Sequence, residues 1–269
     1  MSATLLTRRA ALLSAAAALS GCASLGPEPG NPAGRRVEII RRGAGQPTLV
    51  LEAGLGFGAS DWGDAPAKLI ALLSDTSSVF TYSRPGYGGT PATDAPRSPA
   101  SIARELRELL ASQGVAPPFV LVGHSIGGLY AMVFAAMHRN ETAGLVLVDP
   151  THPRQWGEMQ LKAPRDAAIV SALALTFGAT MRREFEASKE FPAVLATPYA
   201  GPVGLLVAQR PDPLASAAFV QLRSALMADL AATYRVAPMP VASGHFIHKE
   251  QPKIVAAAVR NVIEAARRG

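Results

Sequence analysis

The sequence predicts an α/β fold, with a mostly parallel central sheet, helices on both faces and a small helical lid. Three observations lead there. Runs such as "TLVLEAG", "PFVLVGHS" and "AGLVLVDP" are nearly continuous apolar stretches that end at a glycine or a polar turn. Strands covered on both faces require such continuity, whereas half-exposed strands alternate. Helix-like segments separate these runs, and strands alternating with helices close into a parallel sheet with right-handed crossovers. Of the 269 residues 49% are apolar and only 17% charged, enough for one large core and too apolar for a disordered chain.

Each element follows from local punctuation. "VEIIRR" reads as a short alternating strand, and "TLVLEAG" as a covered strand after the turn "GAGQP". The next stretch is a loop passing into a helix near Trp62, with Leu69, Leu72 and Leu73 on one face. A third strand runs into the glycine-rich turn "YSRPGYGGT". "SPASIARELRELLASQG" then carries helix signals, with Ser98 at the N-cap, Pro99 in the first turn and Gly114 past the end. Two covered strands flank the helix-like "IGGLYAMVFAAMHRN". Residues 151 to 200 hold helical stretches and no convincing strand, which suits a lid inserted between sheet strands. The strand "GPVGLLVAQRPD", a helix near 214 to 232, the short segment "YRVAPMPVASGH" and an amphipathic helix from Pro252 to Arg268 complete the pattern. In the last helix Ile254, Val255, Ala258, Val259, Val262 and Ile263 recur at helical spacing and are expected in the core.

The formal charge is +6, without a basic block interleaved with aromatics, so nucleic acid is not an expected partner. The single cysteine, Cys22, excludes an internal disulfide. It follows a basic pair, Arg8 and Arg9, and an apolar run from Ala10 to Leu19 too short for a comfortable membrane span. This order is expected of an export signal over residues 1–21. The run Leu19-Ser20-Gly21-Cys22 resembles a bacterial lipobox, and "TRRAALL" resembles a degenerate twin-arginine signal. That resemblance implies a lipidated Cys22 anchoring the chain to a membrane on the periplasmic or outer side of a bacterial envelope. A soluble periplasmic or secreted protein is the alternative. Residues 22–36, rich in Gly and Pro, read as a flexible tether, and 37–269 as one folded domain.

"LVGHSIGGLY" carries the chemistry. Gly123, His124, Ser125, Ile126 and Gly127 fit G-x-S-x-G between a predicted strand and a predicted helix, the context in which that motif presents a nucleophilic serine. A lone match is often only a tight turn, but further features support it. The glycine-rich loop "EAGLG" after an earlier strand offers backbone N–H groups to an alkoxide, with Leu55 and Ile126 as the expected donors. "SGHFIHKEQP" places His245 between the last strand and the last helix, in the order serine, acid, histidine. Among the other histidines, His124 is expected to point into packing. His248 is expected at the surface, and His138 as a favourable cation at a helix end.

The segments "LVLEAGLG", "YSRPGYGGT", "GHSIGGLYA", "GLVLVDPTHP" and "GHFIHKEQP" occur in the order seen in α/β-hydrolase-fold serine hydrolases, and over residues 36 to 268 the chain resembles that family. Ser83 and Thr90 depart from the family's usual aspartate and serine, at positions without a catalytic role. The resemblance implies a Ser125–His245–acid triad and an acyl-enzyme. Asp212, 33 residues before His245, is the first choice of acid. Asp149 is the rival, because some members place the acid after the earlier strand.

Trp156, Leu161, Leu173, Leu175, Phe177, Phe185 and Phe191 give the lid an apolar composition, and Leu55, Phe57 and Trp62 flank the oxyanion loop. A small to medium apolar carboxylic ester is the expected substrate. Lactones, thioesters and amides fit as well, as do cofactor-free peroxidation and carbon–carbon bond hydrolysis on the same triad. An inactive envelope binding protein is the non-enzyme alternative. No metal-ligand spacing, P-loop or dinucleotide fingerprint occurs, so no cofactor, and no obligate protein partner, is implied. Epoxide hydrolases and dehalogenases of this fold use an aspartate where Ser125 stands.

Overall fold

The computed structural model describes residues 34–268 apart from Asp64 and Glu190. The export signal, Cys22 and most of the tether lie outside the described residues. Seven strands form one sheet in the order β1-β3-β2-β4-β5-β6-β7. They are β1 (Ile39–Arg42), β2 (Thr48–Glu52), β3 (Val79–Tyr82), β4 (Phe119–His124), β5 (Thr142–Val148), β6 (Val203–Ala208) and β7 (Met239–Val241). Edge strand β1 is antiparallel to β3, and every other pairing is parallel. Strands β2 to β5 are almost wholly buried, which is why their sequences are unbroken apolar runs.

Ten helices complete the described fold. α1 (Leu69–Ser74) and α10 (Pro252–Arg268) cover one face of the sheet, and α2 (Pro99–Ser112), α3 (Ile126–Met137) and α8 (Ala217–Tyr234) cover the other. A one-turn 3-10 helix, Ala59–Trp62, precedes α1. Ser98 caps α2 by accepting from the Ser101 N–H at 3.2 Å. α3 is buried on nearly every side, between the sheet and α2, so its sequence is apolar all round instead of amphipathic. α10 is the opposite case: Val255, Ala256, Ala258, Val259, Val262 and Ile263 are buried against the sheet. Each large member of that stripe contributes about 1.5–3 kcal/mol by leaving water. Ile254, expected among them, is 36% exposed, and Ala256 occupies the inward position.

Residues 151–200 fold as α4 (Gln155–Lys162), α5 (Pro164–Ala174), α6 (Ala179–Ser188) and α7 (Ala193–Ala196), inserted between β5 and β6. This lid packs through α4 on α8 and through α6 on α2. Leu161, Leu173 and Leu175 nevertheless face solvent. α9 (Ile247–Glu250) is a single turn before α10. The folded part also starts earlier than expected. Arg35, placed in the tether by composition, donates to Glu105 of α2 at 2.9 Å. Among the described residues no helix is long and apolar enough to cross a membrane.

Candidate active site

Ser125 stands at the carboxyl end of β4, where the chain turns directly into α3. Its backbone is at φ 55°, ψ −126°, a conformation that side-chain-bearing residues rarely adopt. The flanking glycines explain how such a turn fits. A Cβ on Gly123 would lie 2.4 Å from the Gly127 carbonyl oxygen, and one on Gly127 would lie 2.1 Å from the Glu52 carbonyl oxygen. G-x-S-x-G is therefore a steric requirement of packing α3 onto β2 and β4. The turn is held by the Ser125 N–H donating to the Val148 carbonyl (3.2 Å) and by the Ser125 carbonyl accepting from Gly128 and Thr151 (both 2.9 Å).

Leu55, Ser125 and Ile126 line one cavity of about 160 Å³, walled by Trp156, Met159, Phe185 and Phe219, with Thr151, Gln155, Ser188 and Lys189 as its polar members. Among the described residues the Leu55 N–H has no protein acceptor, and the Ile126 N–H is the first of α3, which has no acceptor within the helix. Both expected donors thus sit beside the serine with N–H groups to spare. Trp62 borders a second cavity together with Gly56 and Phe57 of the oxyanion loop, and is otherwise 1% exposed in the core layer with α1 and α10.

His245 lies between β7 and α9, and its Nδ1 donates to Oδ2 of Asp149 at 2.6 Å. That bond leaves Nε2 as the ring nitrogen able to accept a proton. Asp149 directly follows β5, is 2% exposed and has φ 47°. Its Oδ1 accepts from the Ala208 N–H at 2.8 Å and from the Arg223 guanidinium of α8. Asp212, the first choice from sequence, is not brought to His245. It is exposed in the loop before α8, where its Oδ1 accepts from the Leu214 N–H at 2.8 Å and closes a turn. The structure brings the rival, Asp149, to His245 in place of Asp212: the chain leaves the sheet after Ala208, and Asp212 lies four residues farther along, in the turn that it closes with Leu214.

His248 departs from expectation, whereas His124 lies in packing as expected. His248 is 1% exposed, not a surface residue; its Nε2 donates to Asp61 at 3.0 Å and its ring packs on Trp62, with centroids 4.7 Å apart. His124 is equally buried, and its Nε2 donates to the backbone carbonyl of His245 at 3.0 Å, so it braces the loop carrying that histidine. Burial pushes both imidazoles below the ordinary histidine range, His124 strongly. His138 does end α3, where burial pushes its pKa below the ordinary histidine value and works against the charged form. Asp61, His124 and His248 bring potential ligand atoms within 4.8 Å of one another. The two Asp61 oxygens already accept from His248 and Lys249, His124 bonds separately to the His245 carbonyl, and the Nδ1 atoms of both histidines are buried without a hydrogen-bond partner; the three pack as a buttress under the His245 loop. Burial alone would raise the Asp61 pKa, but those two partners outweigh it and hold the carboxyl below its usual value.

The chain belongs to the alpha/beta hydrolase family, whose sequence profile matches residues 49–258. It is 34% identical over 110 residues to an uncharacterized protein, YqjL, of Bacillus subtilis, covering 41% of this chain and 42% of that one. It is 35% identical over 102 residues to a putative carbamate hydrolase, RutD, of Variovorax paradoxus, covering 38% and 37%. The chain therefore spans under half the length of these relatives. Among solved structures, a putative lipase from Acinetobacter baumannii superposes with a TM-score of 0.67 at 18% identity, over 88% of this chain and 94% of that one. An E-2-(acetamidomethylene)succinate hydrolase gives 0.65 at 17% identity, over 88% and 98%. At such identities the structural likeness establishes the shared fold.

Proposed function

We propose that the protein is a serine hydrolase that cleaves small carboxylic esters through an acyl-enzyme. The observation that carries this reading is the 2.6 Å bond from His245 to Asp149, the residue after Val148, whose carbonyl accepts from the N–H of a serine held in the strained turn of a strand-to-helix elbow. In this mechanism Asp149 holds the His245 proton on Nδ1, so that Nε2 takes the Ser125 proton as the hydroxyl attacks the ester carbonyl. The Leu55 and Ile126 N–H groups receive the oxyanion. His245 then returns its proton to the leaving alcohol, and water repeats the sequence in reverse to release the acid. A hydroxyl nucleophile, where a carboxylate would attack epoxides or alkyl halides, is what favours acyl transfer. The cavity of about 160 Å³ with its aromatic walls favours a short acyl chain.

Hydrolysis of a p-nitrophenyl ester series from acetate to palmitate, with Ser125→Ala as control, tests the reading. Turnover is expected to peak at the short esters and to vanish in the control. Silence across the series, together with no labelling by a fluorophosphonate, would sink the serine-hydrolase reading in favour of a binding protein. Envelope anchoring through Cys22 is a separate proposal, supported by the lipobox-like Leu19-Ser20-Gly21-Cys22. Membrane fractionation of the full chain is expected to lose it to the soluble fraction on Cys22→Ser, and unchanged fractionation would overturn it.

A further inference from the structure

A fully buried ionic cluster adjoins the oxyanion loop. Arg84, in the turn after β3, is its centre and is 1% exposed. Its Nη1 donates to the Ala53 carbonyl at 2.7 Å and to Glu52 at 2.5 Å, its Nη2 to the Gly54 carbonyl at 2.9 Å, and its Nε to Glu184 at 2.9 Å. Glu52 ends β2, and Glu184 belongs to lid helix α6. The guanidinium is also stacked between Tyr87 and Tyr130, 5.0 and 5.1 Å from their ring centres. Four directional bonds and two aromatic faces leave the group one position and one orientation.

What those bonds grip is the backbone of the oxyanion loop. A trans peptide carries its C=O and N–H on opposite sides. The Gly54 carbonyl and the Leu55 N–H share one peptide unit, so drawing that carbonyl toward Arg84 turns the N–H the opposite way. Leu55 and Ser125 line the same cavity, and that N–H has no other protein acceptor among the described residues. Gly54 runs close to the serine: a Cβ there would stand 3.2 Å from His124 Nδ1 and 3.5 Å from the Ser125 Cβ.

We propose that Arg84 is the positioning residue of the oxyanion site, aiming the Leu55 N–H by holding the Gly54 carbonyl, and that lid helix α6 secures Arg84 through Glu184. The inference rests on Ser125 acting as the nucleophile. It makes one donor of the site depend on the docking of the lid: Glu184 of α6 holds the arginine that grips the Gly54 carbonyl, whereas the Ile126 donor is the first N–H of α3 and receives no bond from Arg84. A preorganised donor speeds the chemical step without tightening ground-state binding. Loss of Arg84 should therefore be read in kcat and not in KM.

Arg84→Lys is the direct test, because it keeps a cation between Glu52 and Glu184 yet lacks the planar fork that spans both carbonyls. With active sites counted by fluorophosphonate, kcat and the labelling rate are expected to fall about 10- to 100-fold, and KM to stay within about threefold, given that removing an oxyanion donor outright costs about 10²–10³. A folded Arg84→Lys protein that turns over and labels within twofold of wild type overturns the proposal. Glu184→Gln, which weakens only the lid's hold, should show the same split at smaller amplitude; a normal kcat there overturns the lid's part. If neither variant folds, the wild type decides: the Leu55 amide resonance must shift when a boronic acid adds to Ser125, and an unmoved resonance overturns the assignment. Wild-type protein that never labels would instead mark the failure of the serine-hydrolase reading itself.

Discussion

Asp149 is held by three partners with different demands, and their geometry predicts what an amide would do in its place. Oδ1 is claimed by two donors, the Ala208 N–H and Arg223, and Oδ2 faces His245. In Asp149→Asn the amide oxygen must take the Oδ1 position, because an NH2 there would face two donors. The amide NH2 then faces His245 and forces Nδ1 to accept. The ring proton moves to Nε2, the nitrogen that the proposed mechanism needs as its base. The expected loss in kcat is about 10³–10⁴-fold with little change in stability. Asp212→Asn retains the turn-closing oxygen that accepts from Leu214 and should stay within about twofold of wild type. Paired steady-state measurements on the two variants decide it, and the reverse ranking would refute Asp149 as the acid.

Among the elements, the strands, the long helices and the serine elbow were legible because each writes a strong local pattern. Continuous apolar runs mark β2, β4 and β5, and the glycines of the elbow are demanded by contacts of 2.1–2.4 Å that any side chain would make. The acid was harder, since both aspartates follow an apolar strand and precede a proline. A usable signal was present all the same: Asp149 abuts its strand, whereas Gln209, Arg210 and Pro211 separate Asp212 from β6. Arg223 carries no such mark, being one arginine on an otherwise ordinary helix. The burial of His248 was invisible because α9 is a single turn, too short to show a period. Glu52 and Arg84 did leave a trace, as charges at the end of one mostly apolar strand and two residues past another. Such charges are rarely left unpaired in a core, but which partner neutralises them is a tertiary fact.

At the scale of the whole molecule, buried imidazoles couple stability to pH. His124 and His248 are each 1% exposed, and His152, also buried, donates through Nε2 to Asp229 at 2.9 Å. Burial lowers all three below the ordinary 6.5, against the opposing pull of Asp61 on His248 and of Asp229 on His152, while Lys249 and His245 add repulsion at His124. The groups facing them therefore do not restore the charged form. Well above pH 7 neither the folded nor the unfolded chain protonates these rings, and they leave stability unaffected. As pH falls through 6.5 the unfolded chain binds protons that the native one refuses, so stability must fall with pH, by about 1.4 kcal/mol per pH unit for each such proton. Urea denaturation at pH 8, 7, 6 and 5 should show a level region above 7 and a declining midpoint below 6.5. His248→Gln should shift the curve and reduce its slope by about one proton. A midpoint that holds steady or rises between pH 7 and 5 would mean that these histidines charge freely in the native fold, and that the buttress beneath His245 is wetter than its packing implies.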